Sequence, residues 1–249
     1  MQSSSEVDRV EGPLVECSAL VAGGTGNVGR HIVRALIRRG ATVVVPSRSP
    51  AKLDALRAAV GAASERLLTL VGDVADERDA ARIRDEALRR LPTPLAGVVA
   101  SLGRWVEAPS LLAASRAELV AALENYVIAH FVVARTFLPA LAASGGSYTL
   151  INGPSAFGTW PGSGLVSIAT AAQAMLARAL AGEEEVQTRV RVTDLVIHPS
   201  AWIGPDTTAD GGPIDGEAVG RYVAALLAGG VTGAPTVHLK SAEQLAGLP

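Results

Sequence analysis

The sequence predicts a single-domain α/β fold, doubly wound around a mainly parallel sheet. Three observations carry that prediction. Seven short apolar runs alternate with helical patterns almost to the end of the 249 residues. The runs lack the inside/outside alternation of half-exposed strands, as expected for a parallel sheet covered on both faces. A glycine turn, Gly23-Gly24-Thr25-Gly26-Asn27-Val28-Gly29, joins the first run to the first helical pattern. Strand–helix repetition of this kind gives a doubly wound sheet, and 49% hydrophobic against 18% charged residues can fill one large core.

In chain order, the predicted strands are 18–22 (SALVA), 42–46 (TVVVP), 67–71 (LLTLV), 96–101 (AGVVAS), 147–152 (SYTLIN), 191–197 (RVTDLVI) and 235–239 (PTVHL). The predicted helices are 27–39, 50–60, 76–90, 115–143, 164–182 and 216–228. Residues 1–17 start polar and acidic and read as a flexible tail, not a targeting peptide, ahead of a domain over 18–249. The Gly/Pro-rich stretch from Ile203 to Gly216 reads as a long loop and a candidate lid.

The net charge of −2 supplies no basic field for nucleic acid or anionic lipid. No apolar run reads as long enough to span a bilayer. The single cysteine, Cys17, excludes an internal disulfide and suggests an intracellular, cytoplasmic setting; a buried, inert thiol is expected there.

Gly24-x-Gly26-x-x-Gly29 between a strand and a helix is the context of a dinucleotide site. Glycine lets the backbone approach a pyrophosphate, and the free N–H groups and dipole of the helix start hold its charge. Gly23, Gly26, Asn27, Val28 and Gly29 are the candidate contacts; the alternative is a tight turn with no ligand. An acid at the end of the second strand would favour NAD by accepting from the ribose 2′-OH. Here Ser47 stands there and Arg48 follows. A hydroxyl and a guanidinium suit a phosphate, so NADP(H) is favoured. Arg30 and Lys52 either add positive charge or are solvated helix residues. Asp73-Val74, past the third strand, either meet an adenine or mark a helix start.

Together these residues resemble the short-chain dehydrogenase/reductase family, from about Ser18 to Leu239. Gly23-x-x-Gly26-x-x-Gly29 has the spacing of the family's extended and atypical branches. Asp73-Val74 match its adenine-contacting pair. Ala100-Ser101-Leu102-Gly103 stand at its Asn-Asn-Ala-Gly turn and keep only the glycine. Ala134 to Pro139 matches the end of its long interface helix, and Pro199-Ser200 stand at its Pro-Gly after strand six. The resemblance implies a Rossmann fold and adds Ser101, Pro199 and Ile203 to the cofactor side. It also exposes a departure. The family's serine, tyrosine and lysine positions fall on Gly153, Val166 and Thr170. Valine cannot exchange a proton, and threonine cannot supply the cation that lowers a phenol's pKa. The family's asparagine in the long helix falls on Tyr126, with Asn125 one residue earlier.

Other polar and aromatic groups are expected at the carboxyl ends of strands four to six: Ser101, Arg104 and Trp105; Asn152, Ser155, Trp160 and Ser163; His198, Ser200 and Trp202. Tyr126, Asn152 and Ser155 are the candidate catalytic residues. Tyr126 is a displaced proton donor or an interface phenol, and His130 a base or a structural histidine. Trp105 and Trp202 wall an apolar site or plug the core. Arg104 meets a carboxylate or pyrophosphate, or lies in solvent. The first reading is a non-standard NADP(H)-dependent oxidoreductase for a small, mostly apolar substrate. The alternative is a redox-silent cofactor-bound protein: a sensor, a scaffold, or a cyclase- or isomerase-type catalyst. Ordinary ketone reduction with the acid from Tyr126 ranks last, because it needs a new source of positive charge. The alanine-rich helix 164–182, one of the pair that the family packs across subunits, points to a homodimer or homotetramer.

Overall fold

The computed structural model describes residues 14–108, 110–198, 216–229, 235–240 and 244. They form one doubly wound α/β domain with a seven-stranded sheet in the order β3-β2-β1-β4-β5-β6-β7. The strands are β1 (Ser18–Ala22), β2 (Thr42–Ser47), β3 (Leu67–Val71), β4 (Leu95–Ala100), β5 (Gly146–Asn152), β6 (Val190–Ile197) and β7 (Thr236–Leu239). Every strand pairing is parallel. The order reverses between β1 and β4, which opens a crevice at the carboxyl ends of the strands, where sheets of this kind take ligands.

The helices are α1 (Asn27–Arg38), α2 (Pro50–Val60), α3 (Glu77–Arg90), α4 (Arg116–Leu123), α5 (Ala129–Ser144), α6 (Gly164–Gly182), α7 (Glu184–Gln187) and α8 (Gly216–Leu227). Side-chain caps start three of them: Ser49 on α2, Asp76 on α3, and Ser115 in a capping box with Glu118 on α4. Adjacent strand residues face opposite layers, and both layers are apolar. Val21 and Val43 pack with Ile32, Leu36 and Val223 on one side. Leu20 and Val44 pack with Phe137, Tyr148 and Leu150 on the other.

Four expectations change. The boundary expected at Ser18 moves back to Leu14 at least, which is fully buried and whose N–H donates to the Arg39 carbonyl. Residues 1–13 lie outside the described residues. The single helix expected over 115–143 is interrupted by a π turn at Glu124–Ile128. Sequence periodicity missed it because one extra residue per turn leaves the apolar content unchanged. Two helices among the described residues are, against expectation, long and apolar enough to cross a membrane: Arg116–Ser144 holds an 18-residue stretch of mean hydropathy 1.6, and Gly164–Gly182 one of 1.4. Polar residues such as Glu124, Asn125 and Arg135 interrupt the first apolar run, and a little under half of each stretch is buried against the domain. Finally, α7 and the 3₁₀ turns at Gly61–Arg66 and Pro154–Ala156 were not expected. The candidate lid before Gly216, with Pro199, Ser200, Trp202 and Ile203, lies outside the described residues.

Candidate active site

The glycine turn is shaped by close approach. Gly23 has a φ of +79°, and a Cβ there would strike the Ser101 carbonyl. A Cβ on Gly29 would strike the backbone of Gly23, and one on Gly24 would meet Val45 at 2.8 Å. Gly26 is different: its missing Cβ would have one neighbour within 4 Å, the Gly23 oxygen at 3.1 Å, and the residue faces a cavity. Gly26 is also the N-cap of α1. That helix has no capping side chain and no acid in its first turn, unlike α3 and α4. Its N–H groups and positive dipole end stay open to an anion.

The cavity holds about 760 Å³ and runs from Gly26, Asn27 and Val28 past the ends of β4 and β5. Its walls come from two loops stitched together where the Ala108 N–H donates to the Gly162 carbonyl at 2.9 Å. Tyr126, Asn152 and Ser155 all line it, with Ser101, Arg104, Trp105 and Trp160. Val166 and Thr170 form the wall beside Ser155. Tyr126 is turned inward and Asn125 outward, with the Asn125 amide donating to the Ala121 carbonyl at 2.7 Å. The alternative left open by the sequence therefore closes on the phenol.

The polar groups are heavily engaged. Thr170 Oγ1 donates to the Val166 carbonyl at 2.8 Å, so at 3.2 Å it accepts from Ser155. That directs the Ser155 proton away from the cavity and its lone pairs towards it. Asn152 Oδ1 accepts from the Gly153 N–H at 2.8 Å, and its Nδ2 donates to the Thr170 carbonyl at 3.3 Å. Burial pushes the Tyr126 phenol up to about 12, against an opposing pull from the N–H and charge of Arg104. Tyr126 is thus a protonated donor at neutral pH. The chain has two lysines, Lys52 and Lys240, and neither lines the cavity.

Other expected residues stand elsewhere. Ser163 is buried, bonded to Trp160 and Ser167. His198 lies off the cavity and pairs with His238, nitrogen to nitrogen at 3.0 Å. His130 is buried behind Tyr126, with Nδ1 2.9 Å from the Tyr126 carbonyl and Nε2 3.3 Å from that of Ala100. Ser47, Arg48, Asp73 and Val74 sit beyond the cavity, at the ends of β2 and β3. There Arg48 pairs with Asp73 at 3.4 Å, and the Ser47 and Thr25 hydroxyls are 3.5 Å apart. Arg30 donates to His31 at 3.5 Å, and Lys52 is exposed on α2.

Two buried polar residues were missed. Asp194 on β6 is fully buried, and neither carboxyl oxygen makes a hydrogen bond of good geometry. Burial raises its pKa to about 6, against weaker opposing pulls from Asn152 and the Arg178 charge. Gln173 on α6 donates to the Ile151 carbonyl at 2.9 Å and leaves Oε1 without a partner. An acid inside the apolar run VRVTDLVI was the available signal.

Residues 18–201 match the family model for short chain dehydrogenase. A stretch of 98 residues is 36% identical to one component of the phenolphthiocerol/phthiocerol polyketide synthase of Mycobacterium tuberculosis, covering 39% of this chain and only 6% of that much longer protein. The cis-1,2-dihydrobenzene-1,2-diol dehydrogenase of Pseudomonas putida is 32% identical over 205 residues, or 80% of this chain and 69% of the relative. Among solved structures, an alcohol dehydrogenase from the archaeon Thermococcus sibiricus, complexed with 5-hydroxy-NADP, superposes with a TM-score of 0.76. That pair is 19% identical, and the match covers 90% of this chain and 96% of the other.

Proposed function

The chain belongs to the short-chain dehydrogenase family, and from that membership we propose an NADP(H)-dependent oxidoreductase with non-standard acid–base chemistry and a small, mostly apolar substrate. One observation carries the reading. A single cavity joins the open glycine turn at Gly26 to Tyr126, Asn152 and Ser155, while Val166 and Thr170 occupy the wall where the family resemblance expects a tyrosine and a lysine.

The residues present fit a dinucleotide. Gly26 carries no Cβ into the cavity, and the start of α1 offers unpaired N–H groups to a pyrophosphate. Ser47 and Arg48 suit a 2′-phosphate, which would compete with Asp73 for the guanidinium. When bound, the nicotinamide supplies or takes up a hydride. The protein's own part is then positioning and a phenol proton. Tyr126 donates a hydrogen bond, the Ser155 lone pairs accept one, and Trp105 and Trp160 add apolar surface to the wall. Transfer to an activated C=C or C=N needs less proton donation than a ketone does, which suits a phenol near 12 with no lysine beside it. The same high pKa favours the second reading, a cofactor-bound protein without redox turnover.

The deciding experiment is a titration with NADPH and NADH, followed by a panel of electrophiles under NADPH. The expected result is about tenfold tighter binding of NADPH and consumption of NADPH with an activated alkene or imine. Gly26→Ala keeps the fold, because its methyl meets one atom at 3.1 Å, but loses most of the NADPH affinity. Cofactor binding with no turnover on any electrophile would select the second reading. No binding of either cofactor would overturn both.

A further inference from the structure

The cavity carries one ionic side chain. Arg104 lines it, and no Asp, Glu, Lys or His does so among the described residues. Arg104 belongs to none of the ion pairs formed among those residues. Its neighbour Gly103 has a φ of +107°, and a Cβ there would meet Tyr126 Cδ1 at 2.6 Å and Cζ at 2.9 Å. The edge of the phenol ring is therefore packed against the backbone that carries Arg104. The Arg104 backbone N–H faces the phenol oxygen and pulls on it without a hydrogen bond of good geometry, which leaves the hydroxyl's own proton for a ligand. Arg104 is exposed, lines the same cavity as Tyr126, and stands close enough for its charge to act on the phenol. Leu102, Trp105, Trp160, Val166 and Ile197 make much of the rest apolar.

We propose that this cavity takes a small apolar carboxylate, such as an aryl-alkanoic acid, with the carboxylate held by Arg104 and Tyr126 and the hydrocarbon against Trp105 and Trp160. A neutral apolar ligand offers these two donors no charged acceptor. A carboxylate accepts both donors in charge-assisted bonds. The proposal deepens the reading of this cavity as a substrate site; it does not depend on cofactor preference or on turnover.

The test uses 4-phenylbutanoate and its neutral isostere 4-phenylbutanamide, without cofactor, followed by tryptophan fluorescence and melting temperature. Trp105 and Trp160 line the cavity and report its occupation. The acid is expected to bind about tenfold tighter than the amide. Arg104→Gln removes that preference and leaves amide and NADPH affinities unchanged; Arg104→Lys keeps part of it. Equal binding of acid and amide, or binding of neither, would overturn the proposal. So would an Arg104→Gln variant that weakens NADPH and spares the acid, since the guanidinium would then serve a cofactor phosphate. A failed NADPH titration beside a retained acid preference would sink the cofactor reading alone.

Discussion

Asp194 is a carboxyl group buried without a well-formed hydrogen bond, two residues along β6 from the strand partner of Asn152. An isolated buried carboxylate is far costlier than a neutral acid, so the proton is retained and the pKa rises to about 6. The folded value lies above the unfolded one, near 3.9. The stability it contributes is therefore fullest below about pH 4 and is lost as the pH rises through about 6. Asp194→Asn should raise unfolding stability by about 1–3 kcal/mol at pH 8 and leave it unchanged at pH 4, as read by chemical denaturation at the two pH values. A destabilised variant at pH 8 would mean that the carboxylate has a partner and a use. At this scale the sequence was partly legible. The glycines and Asn152 could be named from strand ends and spacing, and Tyr126 and Ser155 with the help of the family resemblance. The engagement of Ser155 by Thr170 could not, because it depends on which way a side chain faces once α6 docks on β5.

The element that departs most from its sequence reading is the long helix after β4. Its π turn at Glu124–Ile128 carries Tyr126, and one extra residue there turns the phenol inward and Asn125 outward. His130 ties this turn to the sheet, since its two nitrogens face the carbonyls of Tyr126 and Ala100. A neutral imidazole donates from one nitrogen only, and burial lowers the His130 pKa, so the ring stays neutral. A depressed folded pKa contributes stability that is present above about pH 6.5 and lost as the pH falls. His198 and His238, also lowered, act in the same direction. His130→Leu leaves a buried carbonyl without its donor and should cost about 1–3 kcal/mol at pH 8. Its stability should also fall less steeply than the parent's between pH 7 and 5. Denaturant midpoints across that range check both; an unchanged acid limb would show that His130 is not among the titrating groups. The strands and most helix limits were legible because apolar runs and breakers fix them within a residue or two. The π turn was hidden because it alters the backbone register and not the composition.

At the scale of the whole molecule, the apolar content exceeds what one copy buries. On α6, Ile168, Ala171 and Met175 share an outward face, and Met175 is 58% exposed. Ile128, in the π turn that α6 packs against, and Phe131, at the start of α5 just beyond it, are also exposed, Phe131 by 45%. Polar groups interrupt this surface on the second helix, where Glu124 and Arg135 are exposed, with Arg135 paired to Glu77 on α3. Apolar residues with a charged border suit a protein partner, and two such helices meeting their own copies would make a self-complementary contact. We propose a homodimer or homotetramer built on this face. Light scattering with small-angle X-ray scattering at micromolar concentration should return at least twice the chain mass. Phe131→Glu puts a charge at the centre of the contact and should weaken association by about a hundredfold or more. Its circular dichroism should stay unchanged, because the side chain lies outside the core. Both helices are also long and apolar enough to cross a membrane, so the same samples should be floated with lipid vesicles. A parent protein that is monomeric in buffer and rises with the vesicles would assign the face to lipid; a Phe131→Glu variant of unchanged mass would move the contact between copies elsewhere.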